Sequence, residues 1–240
     1  MSKMSSHHPQ NPLAASSPNK VARPGWLEII VGLVVYVIVG FGGILLFKQL
    51  GLDPVVYGLI LTAWTGVATL IAFTAAARLR IRSLSAFGVR RTSRRWLLIS
   101  VGLGLVAFVV KGLAILVWVQ ITGDSNNIQG VYAEGGRGGL LSLVLSTVFI
   151  SVFSPFGEEL LYRGIVTNAL LRYGPFVGVV GSTLIFALMH GINIVFPAAI
   201  VAGLATAEVF RRSGSIWSSL VLHVVFNLPT IPVMVFVGMG

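Results

Sequence analysis

The sequence predicts an all-α fold: a polytopic membrane helix bundle of seven or eight transmembrane helices. Three observations lead there. Hydrophobic residues make up 55% of the 240 and charged residues only 10%, with a mean hydropathy of +0.91, whereas a soluble domain carries roughly 25% charged residues. The apolar residues fall in runs of about 20, the length that crosses a hydrocarbon core. The basic residues collect in alternate connections between those runs. There is no cysteine, which excludes disulfides and thiolate metal sites. A net charge of +10 would suit a nucleic-acid binder. The charges sit where topology determinants belong, however, so membrane lipid and not nucleic acid is the expected partner.

Residues 1–25 are rich in Ser, Pro and Asn and read as a disordered cytoplasmic tail; His7 and His8 are a solvated pair within it. The first apolar run follows this tail without a small-residue cleavage pattern, so no signal peptide is expected. Residues 26–240 form the transmembrane domain, with helices predicted near 26–47, 55–77, 96–120, 140–171, 175–191, 194–210 and 215–237. Trp26, Trp96, Trp118 and Trp217 lie near run ends, as interfacial aromatics do. Lys111 interrupts the third run and either snorkels or lines a cavity. The fourth run is too long for one simple span, and Pro155 and Gly157 are expected to kink or break it just before Glu158. Gly174 and Gly178 offer one small-xxx-small contact. Glu208, four residues before Arg212, reads as an interfacial ion pair. Pro229 and Pro232 interrupt the last run and allow an eighth, short helix.

The basic residues orient the bundle. Lys3, Lys20 and Arg23 precede the first helix; Arg78, Arg80, Arg82, Arg90, Arg91, Arg94 and Arg95 lie between the second and third; Arg172 follows the fourth; Arg211 and Arg212 follow the sixth. The opposite connections hold Lys48, Asp53, Asp124, Glu134 and Arg137, nearly neutral in sum. The N-terminus is therefore expected in the cytoplasm. The arginine-rich 78–95 connection reads as a topology signal, with anionic lipid as its alternative ligand.

Only seven acidic residues occur, and two are the neighbours Glu158 and Glu159. Charges inside a bilayer segment are by default a functional site. Glu159 and Arg163 are four apart and share a helix face. Glu158 is five from Arg163 and turned about 100° from Glu159, so it is expected to point elsewhere, unpaired. An unpaired carboxylate in an apolar cavity has a raised pKa, as a general acid or base near neutral pH needs. The competing reading is a buried ion pair that locks the helix. Two histidines lie outside the tail: His190 ends a Phe186-to-His190 helical turn, and His223 opens a turn that ends at Asn227. At 1.5 Å per residue, Glu158 lies about 21 Å from Arg172, His190 about 24 Å from Gly174, His223 about 16 Å and Asn227 about 22 Å from Arg212. Three helices thus bring polar residues to a similar depth.

These residues resemble the signature of the CAAX-protease and bacteriocin-processing (CPBP, Abi) family of intramembrane proteases, which includes the type II CAAX prenyl endopeptidases. Its EExxxR, FxxxH and HxxxN motifs look like Glu158-Glu159 with Arg163, Phe186 with His190, and His223 with Asn227, in that order. Arg163-Gly164 and Asn168 to Leu171 resemble the usual continuation, and the likeness covers about residues 140–230. The resemblance implies an intramembrane endopeptidase with four catalytic residues, Glu158, His190, His223 and Asn227. Glu158 and His190 would hold and activate a water, and His223 and Asn227 would face the oxyanion. Glu159 and Arg163 would orient the site. The expected partner is a peptide or protein substrate, with a prenylated peptide as one class. The family also contains candidate membrane adaptors and bacteriocin-immunity factors, which is the alternative function.

Glu158, His190 and His223 would also form an acceptable three-ligand zinc set, although HExxH spacing is absent. The expectation is a site without cofactor, with a divalent metal such as zinc as the alternative. No GxGD or GxSG motif occurs, and no inverted repeat of broken helices supports a transporter. Tyr162, four from Glu158, is within hydrogen-bonding reach of it. Asn193 either caps a helix after Gly191 or touches substrate. The short connections suggest a prokaryotic plasma membrane.

Overall fold

The computed structural model describes residues 23–237, and no strand occurs among them. The predicted tail, including His7 and His8, lies almost wholly outside the described residues. Helices α1 (Trp26–Gln49), α2 (Pro54–Ala77), α3 (Arg94–Thr122) and α5 (Leu140–Tyr173) are each long and apolar enough to span a membrane. The last apolar run, Ile216–Val237, also qualifies. Between them come a short α4 (Gly130–Gly135), an apolar α6 (Val177–Met189) and α7 (Val195–Ser213). The last run divides at Leu228-Pro229 into α8 (Ile216–Asn227) and α9 (Thr230–Val237), the short eighth helix that the prolines allow. Ile38 is 65%, Leu116 62% and Ile121 78% exposed. An apolar surface of this extent is a lipid-facing one, and the chain is an integral membrane protein.

Local chemistry sets the helix ends. The Asp53 carboxylate accepts the Val55 N–H at 2.9 Å and Pro54 occupies the first turn of α2. Ser93 caps α3 through Trp96 N–H at 3.3 Å. α3 and α7 end at Gly123 and Gly214, with φ of 70° and 67°. The 78–95 connection is docked rather than loose. Its turn Leu84–Phe87 buries Phe87 completely, edge-on to Phe73 at 5.2 Å, while Asn168 Nδ2 donates to the Ala86 carbonyl at 2.7 Å.

α5 is the centre of the bundle. It packs against α1, α2, α6, α7 and α8. Small residues permit the approach: a Cβ at Gly157 would stand 2.1 Å from Thr69 Oγ1, and one at Gly66 would stand 2.6 Å from Phe153 Cδ1. Gly157 is therefore a packing residue and does not break the helix. Pro155 does not break it either. α5 runs unbroken from Leu140 to Tyr173, with widened π-helical segments at Phe149–Phe153 and Glu159–Thr167. Gly174 and Gly178 do not form the shared contact expected of them. Gly174 is a turn residue with φ of 103°, and Gly178 instead admits the Leu171 side chain of the preceding helix. The sequence reading missed α4, which packs closely on α2: a Cβ at Gly58 would meet Gly135 N at 2.4 Å.

The α2–α5 contact yields a prediction. Gly157→Ala lowers stability by about 1–3 kcal/mol, the usual penalty for overpacking. Gly112→Ala, where a Cβ meets nothing within 4 Å, changes it by less than about 0.5 kcal/mol. Thermal unfolding of the two variants in detergent compares them.

Candidate active site

The site begins with a defect in α5. Pro155 has no N–H to donate. Ser154 N–H bonds Phe149 O, one residue beyond the α-helical register. The Ile150 carbonyl thus lies between a donor used elsewhere and a residue without one. Asn227 Nδ2, from the last turn of α8, donates to it at 3.2 Å. The π segment and Asn227 together pin α8 to α5 about two turns before the carboxylates.

The second π segment arranges the acids. Asn168 N–H reaches Arg163 O, five residues back. A wider turn draws residues five apart toward one face, so Glu158 does not point away from its neighbour's partners as a plain α-helix implies. Both carboxylates meet the same imidazole. His223 Nδ1 lies 2.8 Å from Glu159 Oε1, and His223 Nε2 lies 3.7 Å from Glu158 Oε2. The Glu158 side chain keeps 12% of its surface, whereas that of Glu159 keeps 1% and that of Arg163 none. One carboxylate is therefore a sealed structural anion and the other opens to the site.

Burying Glu159 unpaired would cost several kcal/mol. Two groups offset that cost. His223 Nδ1–H donates to it, since a carboxylate oxygen can only accept. Arg163 Nε stands 3.5 Å from Glu159 Oε2, as the four-residue spacing predicts. The guanidinium is itself held by Thr167 Oγ1 at 3.4 Å and by the Phe186 ring, whose centroid is 5.2 Å from Arg163 Cζ. Thr167 in turn shares a 2.9 Å hydrogen bond with Ser182 of α6, which ties the ion cluster to a second helix.

Phe186 is the hub that brings in the other histidine. His190 packs against it at 4.5 Å between centroids and His223 edge-on at 6.1 Å. His190 Nδ1 donates to the Phe186 carbonyl at 2.9 Å. The carbonyl has no proton to give, so the hydrogen sits on Nδ1 and Nε2 carries a free lone pair. His190 makes no hydrogen bond or ion pair with Glu158 among the described residues. The loop beyond His190 is fixed by Asn193, which donates to His190 O at 2.9 Å and caps α7 through Val195 N–H at 2.8 Å. Capping is thus the role observed for Asn193.

Two tyrosines complete the surroundings. The Tyr162 hydroxyl is buried and makes no hydrogen bond to Glu158 or to any other described group, contrary to the expected reach. Its ring lies edge-on to Phe186 at 4.9 Å and to Tyr36 at 6.4 Å. Tyr132 of α4 went unnoticed in the sequence. Burial pushes its hydroxyl up to about 12, and the Glu158 carboxylate adds to the shift. Elsewhere Glu208 pairs with Arg212 as expected and also with Arg211, at 2.5 and 2.7 Å, remote from this chemistry. Among the described residues no three histidine or carboxylate side chains are placed to hold a metal ion. Glu159 is engaged with His223 and Arg163, and His190 stands apart from the Glu158–His223 pair, so the residues do not fit the zinc set that the sequence allows.

The burial pattern predicts that Arg163→Met destabilises the protein by about 3–5 kcal/mol, since it strands the Glu159 carboxylate in the core. Arg163→Lys retains part of that stability. Thermal unfolding in detergent distinguishes the two.

No curated protein and no solved structure matches the chain. A protein-family model does. From the start of α5 to just beyond Asn227 of α8, a segment that holds Glu158, Glu159, Arg163, His190, His223 and Asn227, residues 140–229 match the family described as type II CAAX prenyl endopeptidase Rce1-like.

Proposed function

We propose that the protein is an intramembrane endopeptidase that hydrolyses a peptide bond with a water activated by Glu158. The family matched is one of proteases. The observation that carries the finer reading is the unequal treatment of two adjacent carboxylates around one imidazole: Glu159 sealed against His223 Nδ1, Glu158 open beside His223 Nε2.

In this reading Glu158 takes a proton from water, and His190 Nε2 accepts that water's second hydrogen bond. The hydroxide adds to the scissile carbonyl carbon. The resulting oxyanion receives hydrogen bonds from His223 Nε2–H and from the Asn227 amide hydrogen not given to Ile150. For Nε2 to donate while Nδ1–H faces Glu159, the ring carries both hydrogens in this step. As the C–N bond breaks, Glu158 returns its proton to the leaving amine. Glu159 and Arg163 act by holding His223. In this reading the chemistry runs through side chains without a metal.

The substrate is a peptide or protein segment presented within the membrane, and the matched family's name points to prenylated C-terminal peptides. We place the arginine-rich side and the N-terminus in the cytoplasm of a prokaryotic cell, by the charge asymmetry of the connections.

Glu158→Ala and His190→Ala, reconstituted in proteoliposomes with a prenylated CAAX peptide, are expected to lose roughly 10²–10⁴-fold in cleavage rate, the usual worth of general acid–base groups. Undiminished cleavage in either variant contradicts the assignment. Full cellular function in both, with no hydrolysis by the parent protein, establishes the adaptor or immunity reading instead.

A further inference from the structure

Away from the Glu158–His223 site, charge concentrates in the arginines at the basic end of the bundle. Some of these have partners in the fold. Arg80 pairs with Glu28 at 2.5 and 2.8 Å, and Arg90 Nε donates to Gly214 O at 2.5 Å. Two others line a cavity of about 600 Å³ between α3 and α7: Arg95 and Arg212. Arg95 makes no hydrogen bond or ion pair among the described residues. Arg212 gives only its Nε to Glu208 Oε1, at 2.5 Å, so its two terminal amino groups are unspent. Glu208 also lines the cavity, but its two oxygens are taken by Arg211 and Arg212. Two guanidiniums against one carboxylate leave a positive excess, and Arg95 adds to it.

The same cavity is apolar along the rest of its length. Arg95, Ile99 and Leu103 follow one another at four-residue intervals on one face of α3, and all three line it. Leu103 lies about 12 Å further into the membrane span than Arg95 and is 41% exposed. Val209 of α7 lines the facing wall, and Trp96 stands at the mouth beside Arg95, where interfacial aromatics belong. A cationic mouth that continues into an apolar groove matches an amphipathic anion: a phosphate ester at the interface carrying a hydrocarbon chain.

The cationic mouth is held in place before anything binds. Ser215 Oγ donates to Arg90 O at 2.6 Å, Ile216 N–H to Gly88 O at 3.0 Å, and Thr92 and Ser218 share a 2.7 Å hydrogen bond. These contacts fasten the connection ahead of Arg95 to the turn that follows Arg212. A topology signal needs only positive charge on the correct side. It needs neither a fixed arginine pair nor a groove beneath it.

We infer that this cavity is a binding site for one anionic phospholipid, its phosphate on Arg95 and Arg212 and an acyl chain along Ile99 and Leu103. Basic pockets between spanning helices take anionic headgroups in this way, and guanidiniums match phosphate oxygens in geometry as well as charge. The site lies between α3 and α7, both of which pack against α8. It is independent of the proteolytic reading.

Lipid binding to the full chain tests it. The protein in a neutral detergent is titrated with phosphatidylglycerol and with zwitterionic phosphatidylcholine of the same chains, and retained lipid is counted by native mass spectrometry. One phosphatidylglycerol is expected to bind about tenfold or more tightly than phosphatidylcholine. Arg95→Gln with Arg212→Gln abolishes that preference. Arg78→Gln with Arg82→Gln removes the same charge from exposed positions outside the cavity and keeps it. Leu103→Trp reads the apolar half with every charge in place, and weakens phosphatidylglycerol binding severalfold. Equal binding of the two lipids overturns the inference. So does an equal loss of preference in both double variants, which identifies diffuse surface charge serving topology alone. Displacement of the lipid by glycerol phosphate at matching concentration, with Leu103→Trp silent, also overturns it, because the site then takes a free phosphate ester and not a lipid.

Discussion

A fully buried carboxylate cannot stand alone in a membrane helix bundle, and the answer to Glu159 organises this protein. Its charge is met by the guanidinium of Arg163 one turn away and by the imidazole of His223 from another helix. Because His223 must turn Nδ1 toward Glu159, its Nε2 is delivered to Glu158. The neighbouring acid is left with a little exposure and a defined partner. One carboxylate is sealed in the packing and the adjacent one is not.

The backbone makes that division possible. π-helical widening in α5 lets residues 158, 159 and 163 converge on a common side, and the proline that accompanies the first π segment leaves a carbonyl for Asn227 to occupy. Glycines at 66 and 157 bring α2 and α5 close enough to support the distorted helix. Phe186 packs against both histidines and the guanidinium. The carbonyl freed beside Pro155 is taken up by a neighbouring helix, through Asn227.

The apolar runs alone located the spanning helices to within a few residues, because twenty consecutive apolar residues have few other folds open to them. The four-residue spacing of Glu159 and Arg163 was enough to foresee their pairing. The direction of Glu158 was not foreseeable. It depends on the π turn over Glu159–Thr167, which leaves no periodic trace in the sequence. Proline and glycine at 155 and 157 suggested a break, whereas the helix continues because the widened register and a tight glycine contact accommodate them. α4 was invisible for a related reason: six residues held by Gly58–Gly135 contact have no hydrophobic pattern of their own. His223 and Asn227 touch α5 directly, at the two glutamates and at the Ile150 carbonyl, while His190 reaches this cluster through Phe186.

The central claim is that Glu159 fixes the protonation of His223. Solid-state ¹⁵N NMR of the histidine-labelled protein in bilayers measures this directly. The account predicts that one imidazole, identified as His223 by its loss in His223→Gln, carries a proton on Nδ1 in a strong hydrogen bond, and that Glu159→Gln shifts that resonance. A His223 protonated on Nε2 alone, with a spectrum unchanged by Glu159→Gln, would contradict the account.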